Sequence, residues 1–454
     1  MSYAESRTTP PDTVPSTAAR PAAARPAPED DTGPRWLRTF SALKFPHFRY
    51  LVAANTLQFA SMQMQLVVRG ALVYELTSSF TALGLVSLAH AIPGLVLTPF
   101  GGIIADRAPK RTVVAVAQAL NMVNSWVLAA LAFGGVLTFP HLVISATLQG
   151  GVNAVLMPTK QALTPDVVPR GRLMNAIALI TSGQNLMTVL GPGLGGLLLV
   201  WVGASSAFVV MGALYAIALV FTARLPARPV YDIDGATAGR VAESTEPRLR
   251  LRAVMLRGLA DMVDGVRYVA KDPTLRTVIS VNFVVIFIAM PYTMMLPGFV
   301  ADVLHKGKAE FGYLVMVSGI GALGGSLMVA TLSDRKRGRL LILTGVILGG
   351  SLLAFAVSTN YLITLPIMLI LGFGQAMRMS IGQVLVQSYS ADQYRGRVMS
   401  VWMMQYSVMS IGTYGVGVLS EVFGPQQAIG GMALLLIALM AVVWVTVPLM
   451  RRIE

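Results

Sequence analysis

The sequence predicts an all-α membrane protein of twelve transmembrane helices, arranged as two parallel six-helix repeats. Three observations predict it: an oily composition poor in charge, twelve apolar runs long enough to cross a bilayer, and Lys/Arg clusters confined to every second loop. Of the 454 residues, 12% are charged and 55% are apolar, and mean hydropathy is +0.66. Soluble domains carry about 25% charged residues. The composition therefore excludes a disordered chain, a nucleic-acid module and an ordinary soluble enzyme. The absence of cysteine rules out disulfides, thiolate metal sites and thiol nucleophiles. Four scattered histidines (His47, His90, His141 and His305) give no metal-site pattern.

The elements follow in chain order. Residues 1–45 include TTPPDTVPSTAARPAAARPAPEDD. They are expected to form a disordered cytoplasmic tail, because such a segment cannot bury enough apolar surface to fold. They also lack the apolar stretch of roughly 7–15 residues that a secretory leader needs. A bilayer core of about 30 Å requires roughly 20 mainly apolar residues per helix. Runs of that kind lie near 49–76, 80–104, 112–134, 139–158, 172–200 and 205–223, then near 275–301, 310–332, 340–358, 361–388, 397–422 and 427–449. The long polar break at 224–274 separates a first bundle, 46–223, from a second, 275–450. Within this linker, Arg252 to Lys271 reads as an amphipathic interfacial helix. Met255, Leu259, Met262, Val266 and Val269 form one face, and Arg257, Asp261, Asp264 and Arg267 fill the other.

Charge sets the orientation. Of the 35 Lys and Arg residues, Lys306 and Lys308 follow span 7, and Arg69 and Arg378 lie inside spans. The rest fall in the tails, in loops 2–3, 4–5, 6–7, 8–9 and 10–11, or at adjoining span ends. Positive loops stay cytoplasmic. A multi-pass protein of the plasma (inner) membrane with both termini cytoplasmic is the expectation, and the net charge of +14 reflects membrane orientation rather than nucleic-acid binding.

The halves repeat each other. Asp106-Arg107 and Asp334-Arg335 are 228 residues apart; Arg170-Gly171-Arg172 and Arg395-Gly396-Arg397 are 225 apart. Because six is even, both copies share one orientation. A parallel repeat about an axis along the membrane normal suits two halves rocking around a midplane site.

The motifs then become specific. The loop GGIIADRAPKR, with Gly102, Asp106, Arg107, Lys110 and Arg111, resembles the loop 2–3 signature of the major facilitator superfamily, with Pro109 in place of its second glycine. LGPGLGG, Leu190 to Gly196, resembles the core of that superfamily's antiporter signature, with Met187 where a further glycine is expected. FRYLVAANTLQF, PTKQALTPDVVP and YRGRVMSVW resemble the enterobactin-exporter and macrolide-efflux branch, the transmembrane secretion effectors. The resemblance covers roughly residues 45 to 450.

It implies roles. Asp106, with Arg107, Lys110 and Arg111, would latch onto the N-terminus of span 11 near Arg395 and Arg397, where a helix dipole attracts a carboxylate. Asp334 and Arg335 would act likewise toward span 5. Gly191, Pro192, Gly193, Gly195 and Gly196 would allow close helix approach and a bend. Spans 1, 4, 7 and 10 would line the pathway, which places Gln63, Arg69, Gln149, Asn153, Asn282, Tyr292, Gln375 and Arg378 there, with Gln58 and Gln65. A cation within a span is a functional candidate by default. For Arg69, pairing with Glu75 or Asp302 is the competing reading.

All 21 acids lie in tails, loops or span ends. A coupling proton would then need His90, in span 2, or one of Glu75, Asp106, Asp302 and Glu421, and the coupling ion stays open. The expected partners are a small-molecule substrate, membrane lipid and a coupling ion. No cofactor, metal or nucleic acid is expected, and the chain reads as a monomer. The leading function is a secondary active exporter of amphiphilic small molecules (drug, siderophore or lipid-like). An importer or facilitator on the same scaffold and a non-transporting receptor are the alternatives. No ATP-binding loop of the G-x-x-x-x-G-K-[ST] kind occurs, which argues against an ATP-driven pump, and no catalytic constellation argues for an enzyme.

Overall fold

The structure, a computed structural model, describes residues 40–169, 172–226, 230, 262–331, 337–391, 394–448 and 450. A single 3-10 turn, Phe40–Lys44, leads into six helices: α1 Pro46–Thr77, α2 Phe80–Arg107, α3 Lys110–Phe133, α4 Phe139–Val167, α5 Leu173–Trp201 and α6 Gly203–Ala223. Eight more follow: α7 Pro273–Ala289, α8 Tyr292–Asp302, α9 Lys308–Thr331, α10 Arg337–Val357, α11 Tyr361–Tyr389, α12 Arg395–Met403, α13 Gln405–Phe423 and α14 Pro425–Thr446. A further helix covers 262–271. Most of the expected tail lies outside the described residues.

Ten segments among the described residues are long and apolar enough to cross a membrane. The expected spans 1 and 11 are the other two. Span 1 is the 32-residue α1, whose buried Asn55, Gln58, Gln65 and Arg69 lower its hydropathy. Span 11 is the pair α12–α13, which buries Gln405, Ser410 and Thr413. Two expected spans are broken. Span 7 divides at Met290–Pro291, where proline brings no N–H and cannot continue the ladder. Span 11 divides at Met404, where the N–H of Met404 bonds the Val401 carbonyl at 3.1 Å and that of Ser407 bonds the Met404 carbonyl at 3.0 Å, a locally tighter turn. Span 4 is longer than expected, because α4 continues through Pro158 and Pro165 to Val167.

Local chemistry sets several ends. Asp272 caps α7, accepting from the backbone N–H groups of Thr274 at 2.8 Å and Leu275 at 2.9 Å. Asn360 caps α11. Thr138 and His141 form a reciprocal box at the start of α4. Ser78, in the left-handed region at φ 48°, closes α1 through its N–H to the Tyr74 carbonyl at 2.7 Å.

Packing repeats between the two sets of helices. α2 meets α4 where Gly150 lies on the His90 carbonyl, and α9 meets α11 where Gly372 lies on the Ser318 carbonyl. α3 packs on α6 at Trp126 and Gly212, and α10 packs on α14 at Gly345 and Met440. Small residues permit these approaches in lipid, where helices gain nothing from hiding apolar surface from water. α1–α6 and α7–α14 meet along α2 against α13 and α5 against α9.

One hydrophobic cluster runs through both sets, including Val67, Leu72, Tyr74, Phe80 and Leu83 from the first and Met295, Phe299, Val300 and Phe311 from the second. A second cluster, with Phe48, Leu51, Val114, Leu156 and Leu163, belongs to the first set alone.

The helix 262–271 docks on α12. Gly265 lies against the Arg397 backbone, where an added Cβ would sit 2.8 Å from the carbonyl oxygen. The rings of Tyr268 and Tyr394 stack at 4.3 Å, and Asp264 lies 3.9 Å from Arg397. Gly265 and Val269 are buried at this contact, and Val263 and Val266 are exposed. Met255, Arg257, Leu259 and Asp261 lie outside the described residues.

Candidate transport pathway and end latch

The two helix sets are joined at the end opposite the basic loops. Glu421, near the end of α13, caps the start of α2 across the joint. Its Oε2 accepts from Ser79 Oγ at 3.0 Å, the Phe80 N–H at 2.9 Å and the Thr81 N–H at 3.3 Å. A carboxylate there satisfies orphan helix-start donors and faces the positive end of the dipole. Tyr74 Oη donates to Asp302 Oδ2, and Lys308 pairs with Glu75 at 2.7 Å.

Glycines bring the backbones together at the same end. An added Cβ on Gly84 would lie 2.7 Å from Tyr414 Cα, and one on Gly417 would lie 2.6 Å from the Phe80 carbonyl oxygen. The LGPGLGG stretch is buried at all four glycines and at Pro192, and it has two faces. Gly191 and Gly195 face α1, where an added Cβ would meet Gln63 Cβ at 2.7 Å and Met64 Cα at 2.9 Å. Gly193 and Gly196 face α9 across the joint, against Met316 and against Gly312 Cα at 2.5 Å. Pro192 lies inside a continuous α5. The Tyr74–Asp302 and Ser79–Glu421 hydrogen bonds, the backbone bonds to Glu421 and the Lys308–Glu75 ion pair thus all join α1–α6 to α7–α14 at this end.

Two buried polar relays lie deeper. In the first set, Arg69 on α1 donates Nη2 to Gln149 Oε1 of α4 at 2.6 Å, and Gln149 donates Nε2 to Gln65 Oε1 at 2.6 Å. In the second, Arg378 on α11 donates Nη1 to Asn282 Oδ1 of α7, and Asn282 donates Nδ2 to Gln405 Oε1 at 3.3 Å. The repeat equates α1 with α7 and α4 with α11. The same helix pair thus carries the same arginine–amide bond twice, with the roles exchanged. The competing pairing of Arg69 with Glu75 or Asp302 is not formed; Lys308 and Tyr74 occupy those carboxylates.

The other pathway residues spread along the same helices. Asn153 donates to Met62 Sδ at 3.8 Å. Gln63 and Gln375 are half-buried. Tyr292 is buried with its ring edge-on to Phe355. Half-buried His90 packs beside Ala146 of α4 and near Arg69, and its Nδ1 has no partner among the described residues. Gln58 accepts from Gln118 of α3 at 3.0 Å.

At the basic end, Lys110 bonds Asp166 at 2.8 Å and the Ala162 carbonyl at 2.9 Å, and Arg111 donates to the Ala223 carbonyl. Both tie α3 to neighbours in its own set. Arg397 faces Asp264 and the Tyr394 ring. The side chains of Asp106, Arg107 and Arg395, and the whole of Asp334 and Arg335, lie outside the described residues. Sequence reasoning missed Lys160 and Gln405. Lys160 is 9% exposed and sits two residues beyond the expected end of span 4; its spacing from Gln149 and Asn153 on one helix face was the available signal.

Comparison with known proteins bears on this arrangement. The Major Facilitator Superfamily matches residues 51–413 and 282–452. The multidrug efflux pump Tap of Mycolicibacterium fortuitum is 27% identical over 395 residues, 84% of this chain and 91% of that protein. The Staphyloferrin A transporter of Staphylococcus aureus is 22% identical over 345 residues, 75% of this chain and 81% of that protein. In fold, the chain is similar to a bacterial homolog of the human lysosomal transporter Spinster, in its inward-facing, unoccupied conformation (TM-score 0.67, 14% identity, 92% of this chain and 98% of that one). It is also similar to the nucleoside transporter NupG (TM-score 0.64, 14% identity, 88% and 99%). All-helical, paired across two repeats and matched over most of its length, this chain belongs to the Major Facilitator Superfamily of membrane transporters.

Proposed function

We propose that this chain is a secondary active exporter of amphiphilic small molecules, working by alternating access in the plasma (inner) membrane with both termini cytoplasmic. The observation that carries the reading is the joint that closes the helix sets at the end of Glu421, Asp302 and Glu75, since closure of one end is half of an alternating-access cycle. With the basic loops cytoplasmic, the joined end faces outward. The segments 46–223 and 275–450 are the moving bodies, and 224–274 connects them. Asp106 with Arg107, and Asp334 with Arg335, latch the cytoplasmic end in the opposite state, toward Arg395 and Arg397 and toward span 5. Gln63, Arg69, His90, Gln149, Asn153, Asn282, Tyr292, Gln375 and Arg378 line the route between the gates. Likeness to a multidrug efflux pump over most of both chains supports the outward direction.

Deletion of the gene tests this reading. Export requires greater sensitivity to a toxic amphiphile together with a higher cell content of it, both reversed by the wild-type gene. Lower uptake of a nutrient with unchanged amphiphile content would reverse the direction.

A further inference from the structure

We infer that the route through the bundle is built for an anion: an amphiphile bearing a carboxylate, sulfonate or phosphate, held by Arg69, Arg378 and Lys160. The inference rests on the transporter reading above and names its substrate class.

The three cations are 6%, 2% and 9% exposed. Arg69 and Arg378 are each bonded to one neutral amide, and the Nε of each is buried without a partner among the described residues. No ion pair among the described residues includes any of the three. The nearby carboxylates are engaged elsewhere: Glu75 with Lys308, Asp302 with Tyr74, Asp166 with Lys110, and Glu421 with the start of α2. Buried charge is costly unless it is paired, and an arginine left with amides alone is the uncompensated case.

The cations are also staggered in depth. At 1.5 Å per residue, Lys160 lies about 10 Å from the basic end of α4, Arg378 about 17 Å from the basic end of α11, and Arg69 about 12 Å from the joined end of α1. Gln149, Asn153 and Lys160 share one face of α4. Unpaired cations at three depths attract an anion and repel a cation. A guanidinium fork also matches the paired oxygens of a carboxylate, sulfonate or phosphate.

The test uses the purified full chain in phosphatidylcholine nanodiscs and three matched dansyl-undecyl probes: the carboxylate, its methyl ester and the trimethylammonium. The expected result is carboxylate binding at least about tenfold tighter than the ester, with the ammonium weakest, each such factor being the size expected of one charge-assisted contact. Arg378→Met and Arg69→Met each remove most of that preference and leave ester binding in place, while Arg378→Lys retains part of it. Wild-type protein that binds the ester or ammonium as tightly as the carboxylate, or fails to bind the carboxylate, overturns the inference without reference to any variant.

Repeating the titration in phosphatidylglycerol separates two sources of the same chemistry. With salt high enough to screen repulsion by the bilayer surface, weakened carboxylate binding beside unchanged ester binding identifies an anionic lipid headgroup as an occupant, and unchanged carboxylate binding identifies a free amphiphile. Flux of the same probes into proteoliposomes separates this inference from the exporter reading. Preferred movement of the ester or ammonium leaves a transporter and removes the anion site. A carboxylate that binds but never moves leaves the site and counts against the transporter.

Discussion

Replacing Gly196 by alanine is expected to pry the joined end apart. A Cβ there would lie 2.5 Å from Gly312 Cα, with the Gly312 N at 3.3 Å. Comfortable carbon–carbon separations are about 3.5–4.0 Å. The obstruction is backbone on a neighbouring helix, so α5 and α9 must part by about 1 Å. Such overpacking typically costs about 1–3 kcal/mol. Under the proposed alternating access the cost falls on the joined state alone, because α5 and α9 would separate at this end in the other state. A difference of that size shifts the balance between the states by about 5–150-fold. The chain has no cysteine, so spin labels can be placed without background at Leu76→Cys and Val422→Cys, exposed positions beside the joint on opposite helix sets. Pulsed dipolar spectroscopy should then show a second, longer distance in the Gly196→Ala protein. Gly350→Ala, with nothing within 4 Å of an added Cβ, serves as the control. A folded Gly196→Ala protein with the wild-type distance distribution would refute the reasoning.

Three further outcomes are expected. Glu421→Gln keeps an acceptor at the start of α2 but removes its charge, so the longer distance should grow by an amount matching about 0.3–1 kcal/mol; a wild-type distribution would mean the cap holds nothing shut. Lys110→Met leaves half-buried Asp166 without its cation and should lower stability by about 1 kcal/mol, read as a lower unfolding temperature; an unchanged one would make the pair decorative. Asp106→Asn should shift the protein toward the state open at the basic end, so that a lone cysteine at Ala391 is labelled faster from that side, and equal labelling rates would count against an Asp106 latch.

Much of the fold was legible in the sequence, because length and hydropathy are one-dimensional properties. Composition alone points to a helical membrane bundle, and the spacing of Asp106-Arg107 from Asp334-Arg335 displays the repeat. Finer features were hidden where polar residues serve the interior. α1 was found as a run, near 49–76, but its glutamines and arginine gave no sign of the relay they build with α4. Lys160 was missed because Pro158 reads as a helix end; neighbouring helices let a span absorb proline. The break at Met404 has no proline or glycine to announce it. For Arg69, a place in the pathway competed with pairing to Glu75 or Asp302. Its bond to Gln149, 80 residues away, depends on how α1 and α4 are rotated against each other, and no local spacing encodes that rotation.

The hydrophobic cluster shared by both helix sets has a thermal consequence. Separating them at the joined end would bring Tyr74, Phe80, Phe299 and Phe311 toward water, whereas the residues expected to close the opposite end are mainly charged. Wetting hydrocarbon raises heat capacity. The two access states should therefore differ in heat capacity, and a van 't Hoff plot of their ratio should curve. Chilling would weaken the seam held by oil more than one held by charge, so the resting direction of the gate is itself a function of temperature.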